Sequence, residues 1–267
     1  MSDFLNITRE GGVVTLTIMR DADRNAISEV SDCEEIERAC KEISLDRSVK
    51  AVILTGDGSA FSAGGNLKRM RDRKGFAPKE TPVETRHSYI ESIQRIPMSL
   101  YELEVPTIAA VNGAAVGAGL DLACMCDIRI ASDKARFAES FVKVGIIPGD
   151  GGAWLLPRVV GASKAAELCF TGDMIDAAEA ERIGLVSKVV PHDGLMEAAQ
   201  ELANRIAQNP GNALRLTKRL LREGATSTLP QLLQLSAAFQ AIIHETEDHR
   251  EAVLSFLEKR PPVFTDR

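Results

Sequence analysis

Two stretches of this chain set polar residues among small ones: Ser59–Lys68, reading SAFSAGGNLK, and Val111–Asp121, reading VNGAAVGAGLD. Each follows an apolar, β-branched run that reads as a buried strand, Lys50–Thr55 and Pro106–Val111. Glycine behind a strand lets the backbone approach a ligand with its N–H groups turned inward. A helix starting at the same place adds the positive end of its dipole. The chemistry this suits is a group that is, or becomes, negative: a phosphate or an enolate oxygen. The chain contains no G-x-x-x-x-G-K-[ST], no G-x-G-x-x-G and no G-x-S-x-G. Nucleotide hydrolysis, dinucleotide binding and serine hydrolysis therefore lose their usual supports. One glycine cluster would ordinarily mean close packing of a helix on a sheet; two clusters behind two strands point to a site.

The first segment, Phe61-Ser62-Ala63-Gly64-Gly65-Asn66-Leu67, resembles the FxAGxDL motif of the crotonase (enoyl-CoA hydratase/isomerase) superfamily. The second, from Val111 to Asp121, resembles that family's VNGxAxGGGxEL motif. The similarity begins at Arg24-Asn25-Ala26 and continues through Phe137, Gly145, Pro148, Gly151-Gly152 and Leu156-Pro157-Arg158 to Phe256-Leu257-Glu258-Lys259-Arg260. It implies an α/β fold, a crotonase-like spiral of ββα units followed by a C-terminal helical subdomain. It also implies an acyl-CoA thioester as substrate, with no cofactor besides the coenzyme A that the substrate carries.

By the same resemblance, the N–H groups of Gly65 and Ala118 form an oxyanion hole for the thioester oxygen. Ala118 stands where the family more often has glycine, and an alanine at a helix start supplies the same N–H. Asp121 falls at the family's first catalytic acid, three residues along the helix from Ala118 and on the same face. The second acid of the family's hydratases falls on Phe141, which cannot activate water. One acid suffices to move a double bond, so isomerisation is the expected reaction. Hydration by Asp121 with Asp150 or Glu139, another reaction of the superfamily, and a catalytically silent scaffold are the alternatives. Arg24, Ala26, Ala63, Asn66, Gly117 and Lys259 are expected along the coenzyme A path, with Lys68 a further cation at its mouth. Leu67, Phe141 and Trp154 are expected to wall the acyl pocket, and the family relationship implies a homotrimer or a dimer of trimers.

The wider sequence must carry this site. Its 267 residues, 45% of them apolar, suffice for a large core. A net charge of −6 argues against a nucleic-acid partner. The stretch Thr107–Cys126 is broken by Asn112 and Asp121 and does not read as a membrane span. Five cysteines and the lack of a signal-peptide pattern predict a cytoplasmic protein without disulfides, and the Cys124-x-Cys126 spacing predicts no metal site. A hairpin is predicted over Phe4–Ile18, an amphipathic helix over Ser28–Ile43 and further strands at Pro106–Val111 and Asp127–Ala131. Lys68–Thr85, charged and carrying two prolines, reads as a mobile segment beside the site. Helical periodicity covers Leu195–Ala207, Ala213–Arg222, Leu229–Ile243 and Arg250–Lys259. The division drawn is a core of residues 1–199 and a helical subdomain of residues 200–267 that serves assembly and covers the site.

Overall fold

A computed structural model describes residues 4–75 and 79–267. Strands β1 (Leu5–Glu10) and β2 (Val13–Ile18) form an antiparallel hairpin, turned at Gly11, whose φ of 57° favours a residue without Cβ. Helix α1 (Val30–Leu45) follows, with Cys33, Ile36, Ala39, Cys40 and Ile43 buried at helical spacing. Strand β3 (Ala51–Gly56) is buried throughout and hands the chain to the three-residue strand β4 (Ala60–Ser62), then to the short helix α2 (Leu67–Arg71). Helices α3 (Pro82–Glu91) and α4 (Arg95–Glu102) lead to β5 (Thr107–Val111), β6 (Ala114–Val116) and α5 (Ala118–Met125). The pattern returns with β7 (Ile128–Ser132), β8 (Arg136–Ala138), a 3₁₀ turn at Ser140–Val144 and α6 (Gly152–Val160).

Each passage thus places one strand in each of two sheets and then a helix. The first sheet has six strands in the order β1-β2-β3-β5-β7-β10, where β10 is Lys188–Val190, parallel from β2 onward. The second has the order β4-β6-β8-β9 and closes with β9 (Ile175–Asp176), antiparallel to β8. Helices α7 (Ala162–Thr171) and α8 (Ala177–Arg182) flank β9. The main core lies between the first sheet and α1, α4 and α5, with Phe4, Phe61, Phe137 and Leu120 wholly enclosed.

Helix α9 (Leu195–Ala207) seals the opposite face of the first sheet, packing Leu195, Ala199 and Ala203 on Val13, Ile53, Ile108 and Ile130. The predicted division between residues 199 and 200 falls inside this one helix. The outlying helical region accordingly begins with α10 (Gly211–Gly224) and continues as α11 (Leu229–His244) and α12 (Glu247–Glu258).

The segment expected to be mobile carries helix at its two ends, α2 and the start of α3. The Thr81 hydroxyl accepts from the Glu84 N–H at 3.2 Å, the Glu84 carboxylate accepts from the Thr81 N–H at 3.0 Å, and Pro82 opens α3. This capping box starts a helix without needing a strong apolar face. Residues 76–78 of that expectation lie outside the described residues.

Candidate active site

The two glycine-bearing loops meet backbone to backbone. Gly64 has a φ of 76°, and a Cβ there would stand 3.1 Å from the Ala118 nitrogen and run into the Val116 carbonyl. Side chains staple the first loop in place. The Ser62 hydroxyl accepts from Gly64 N at 3.2 Å and donates to the Asn25 carbonyl at 2.8 Å. The buried Asn25 amide donates to the carbonyls of Asp57 and Ala60, and Asn112 donates to those of Gly58 and Ala60. Asn25, from the early Arg24-Asn25-Ala26 element, and Asn112, from the second motif, are therefore structural ties that fix where the loops sit.

Gly65 and Ala118 line one cavity of about 290 Å³. Neither amide donates to a backbone acceptor among the described residues. Ala118 is the first residue of α5, so its N–H is one of the donors that a helix start leaves free. Two unspent N–H groups in one small cavity wall match what a developing oxyanion needs.

Three carboxyl groups lie beside this wall. Asp121, Glu139 and Asp150 are all buried, and Asp121 is close enough to the other two for their charges to act on it. Asp121 Oδ2 accepts from Gly152 N at 3.1 Å, a contact that a Cβ at Gly152 would obstruct. Asp121 Oδ1, both oxygens of Glu139 and both of Asp150 find no donor among the described residues. Among the described residues no cation is paired with any of them. Desolvation, and then the charges of Asp150 and Glu139, hold the Asp121 carboxyl well above the usual range. Burial, reinforced by the Asp150 charge, pushes Glu139 up to about 8. Burial also raises Asp150, against a lowering contribution from its hydrogen bond with Asp121. A carboxyl that keeps its proton becomes a donor to its neighbour, which accounts for three acids packed together without a cation.

Of the three, only Asp150 belongs to the wall that contains Gly65 and Ala118. Asp121 and Glu139 stand behind it. Asp121, expected from the sequence to reach this hollow, is wholly buried, with Oδ2 held by the Gly152 N–H at the start of α6. Leu67 and Phe141 line the same cavity, and the Phe141 ring lies over Gly117, within 3.6 Å of where a Cβ would be.

Trp154 lies elsewhere. It sits edge-on to Tyr101 at 5.8 Å, beneath the Arg158 guanidinium, in a second cavity of about 770 Å³ that shares only Gly149 and Asp150 with the first. Among the expected coenzyme A contacts, Asn66 lines the first cavity, although its side-chain oxygen is engaged by the Lys68 and Arg69 N–H groups as the cap of α2. Ala63 and Arg24 are joined by a backbone hydrogen bond of 2.9 Å, Ala26 is buried, and Gly117 caps α5. Arg24, Lys68 and Lys259 are exposed and outside the cavity wall, with Lys259 closing the far end of α12. The cations in the wall are Arg69 and Lys74, which the sequence reading passed over because no motif includes them. Cys124 and Cys126 are buried free thiols, and no metal-ligating cluster occurs among the described residues. No helix among these residues is long and apolar enough to cross a membrane.

Comparison with known proteins bears directly on this arrangement. The sequence profile of the enoyl-CoA hydratase/isomerase family matches residues 8–267. A probable enoyl-CoA hydratase of Mycobacterium tuberculosis is 38% identical over 262 residues, covering 98% of this chain and 97% of that one. The 1,2-epoxyphenylacetyl-CoA isomerase of Escherichia coli is 36% identical across the whole of both chains. The crystal structure of enoyl-CoA hydratase from Bacillus anthracis superposes with a TM-score of 0.92 at 33% identity, over 99% of this chain and 100% of that one. The two sheets linked by repeated ββα passages are the crotonase fold, and this chain belongs to the enoyl-CoA hydratase/isomerase family.

Proposed function

We propose that this enzyme moves a double bond within the acyl group of a coenzyme A thioester. The Gly65 and Ala118 N–H groups hold the thioester oxygen as it becomes an enolate. Asp150 takes a proton from one carbon and returns it at another, and Asp121 steadies Asp150 from behind by sharing a proton with it. The substrate brings the coenzyme A, and no further cofactor takes part. Arg69 and Lys74 supply positive charge beside a substrate that carries phosphates.

The observation that carries this reading is that one carboxyl, Asp150, shares a cavity wall with both amides, while the position of the second acid holds the Phe141 ring. A 3-enoyl-CoA incubated with the protein in D₂O should become the 2-enoyl isomer faster than any water addition. Water addition to a 2-enoyl-CoA with no bond migration would overturn it. The contact between Asp121 and Asp150 favours hydration as a second reading, because two carboxyls side by side can deliver a water. In that case the same assay would show a 3-hydroxyacyl-CoA product. The apolar residues exposed on α12, Phe256 and Leu257 at 84% and 72%, support burial of this face in a homotrimer or dimer of trimers.

A further inference from the structure

Glu139 has no part in the reaction just described, yet among the described residues it is as poorly satisfied as Asp150, with neither oxygen paired. Its residue is wholly buried, and neither carboxylate oxygen meets a donor among the described residues. The titratable groups facing it are known element by element. From α5 come Asp121 and Cys124, from the loop before α6 comes Asp150, and from α7 comes Cys169. The cation on its own turn, Lys143, points away to Asp173 at 3.3 Å. A glutamate that only filled space could be replaced by a glutamine or leucine without loss. An acid kept here costs desolvation and gains no cation in return.

We infer that Glu139 is a positioning residue that, through Asp121, sets how many protons the three-acid cluster holds and so how strong a base Asp150 is. The inference rests on the proposed role of Asp150. The three acids are buried together with five oxygens that meet no donor among the described residues, so a proton carried by Asp121 serves either Asp150 or Glu139 at a given moment. While Glu139 is neutral it makes no claim on that proton, and the Asp121 hydroxyl stabilises the Asp150 carboxylate. Once Glu139 is ionised it competes for the same hydroxyl and sets a second negative charge beside Asp150. Both changes raise the proton affinity of Asp150. The balance is simple: one proton leaves Glu139 for solvent, none is added to the substrate, and no bond in the acyl group changes. The titration expected of Glu139, near pH 8, falls within the working range of an enzyme assay.

The test is a pair of pH profiles, wild type against Glu139→Gln, which keeps shape and removes the ionisation. In the wild type, kcat/KM for double-bond migration should show an inflection near pH 8. In the variant that inflection should vanish while activity at pH 6 stays within about tenfold of wild type, less than the roughly 10²-fold or more expected for losing a general base. A uniform loss with the inflection retained would reduce Glu139 to a packing role and overturn the inference. Difference infrared spectroscopy supplies an arm that needs no turnover. Wild-type protein should lose one protonated-carboxyl band across the same pH range, and Glu139→Gln should lose none; a band unchanged by the substitution also overturns it. Absence of isomerase activity in the wild type would defeat the proposed reaction, whereas the infrared titration would still decide for or against Glu139.

Discussion

The protein buries charge-bearing groups in two places, and treats them in opposite ways. At the site, three acids are packed together with five oxygens lacking donors. Along α10, three cations one turn apart, Arg215, Lys218 and Arg222, are matched to backbone carbonyls. Arg215 donates to Ser44, Asp46 and Val49, Lys218 to Val105, and Arg222 to Leu100 and Leu103. These acceptors lie at or just past the ends of α1 and α4, where a helix leaves its last carbonyls without partners. Lys218 is also paired with Asp127 at 2.6 Å. The cation row is a clamp that satisfies what it buries, whereas the acid cluster is left short. That shortfall is what a proton-transfer site requires, because only an acid without a fixed partner keeps a proton it can give or take.

Replacing Asp150 by Asn breaks the comparison most sharply. Activity should fall roughly 10²- to 10⁴-fold, as expected for removal of a general acid–base group. Stability at pH 8 should nevertheless hold or rise, because an amide supplies its own donor and removes a buried charge. Steady-state kinetics beside thermal unfolding checks both halves. A variant that is destabilised yet active would assign Asp150 to the scaffold. The pH dependence has a definite sign. Glu139 titrates near 8 in the folded protein against an ordinary value of 4.5, so between these the folded state binds more protons than the unfolded. Its stabilising share is therefore complete below about pH 4.5 and is lost as pH rises to about 8.

Lys218→Met should do the reverse. Activity per folded molecule should change little, while stability should fall by about 3 kcal/mol, the low end for breaking a buried pair. The low end applies because Asp127 remains 32% exposed and keeps the Thr107 N–H and hydroxyl as donors. Burial lowers Lys218 to about 8 from 10.5, against the raising effect of Asp127. The unfolded chain then binds more protons across that interval, so this group's contribution to stability rises from pH 8 to about 10.5. Urea unfolding of wild type and variant at pH 7 and pH 10 should show the gap between them change with pH. A constant gap would mean that Lys218 does not titrate in the folded state.

The same contrast explains what was legible in the sequence. Strands β3, β5 and β7 and helices α1 and α9 to α12 announce themselves by period, since each presents apolar residues to one face or is apolar throughout. Strands β4, β6 and β8 do not, because three residues are too few to show alternation, and without them the second sheet is invisible. The onset of α3 was written in Thr81-Pro82-Val83-Glu84, a capping signature hidden by the surrounding charge. At the site, motif spacing pointed to Gly65 and Ala118, which line one cavity, and the glycine loop made Asp150 a candidate. The hold of the Gly152 N–H on Asp121 is a contact across 31 residues that no local pattern encodes. Trp154 is one helical turn from the site loop, yet it faces the other cavity because the turn of α6 carries it towards Tyr101.

Arg222 gives the smallest effect and the finest test of the clamp. Its guanidinium is half-buried, donates to Leu100 at 3.0 Å and Leu103 at 2.9 Å, and lies 5.1 Å from the Tyr101 ring centroid. Arg222→Met removes both of these hydrogen bonds and should cost about 1–2 kcal/mol, the worth of two ordinary ones. Arg222→Lys should recover about half of that, since an ammonium group keeps the charge but lacks the rigid plane that holds Nη2 between the two carbonyls. A full recovery by lysine would show that charge alone holds α10 to the end of α4. No recovery would show that the paired geometry does, and would place Arg222 with Arg215, whose guanidinium likewise divides itself among several carbonyls.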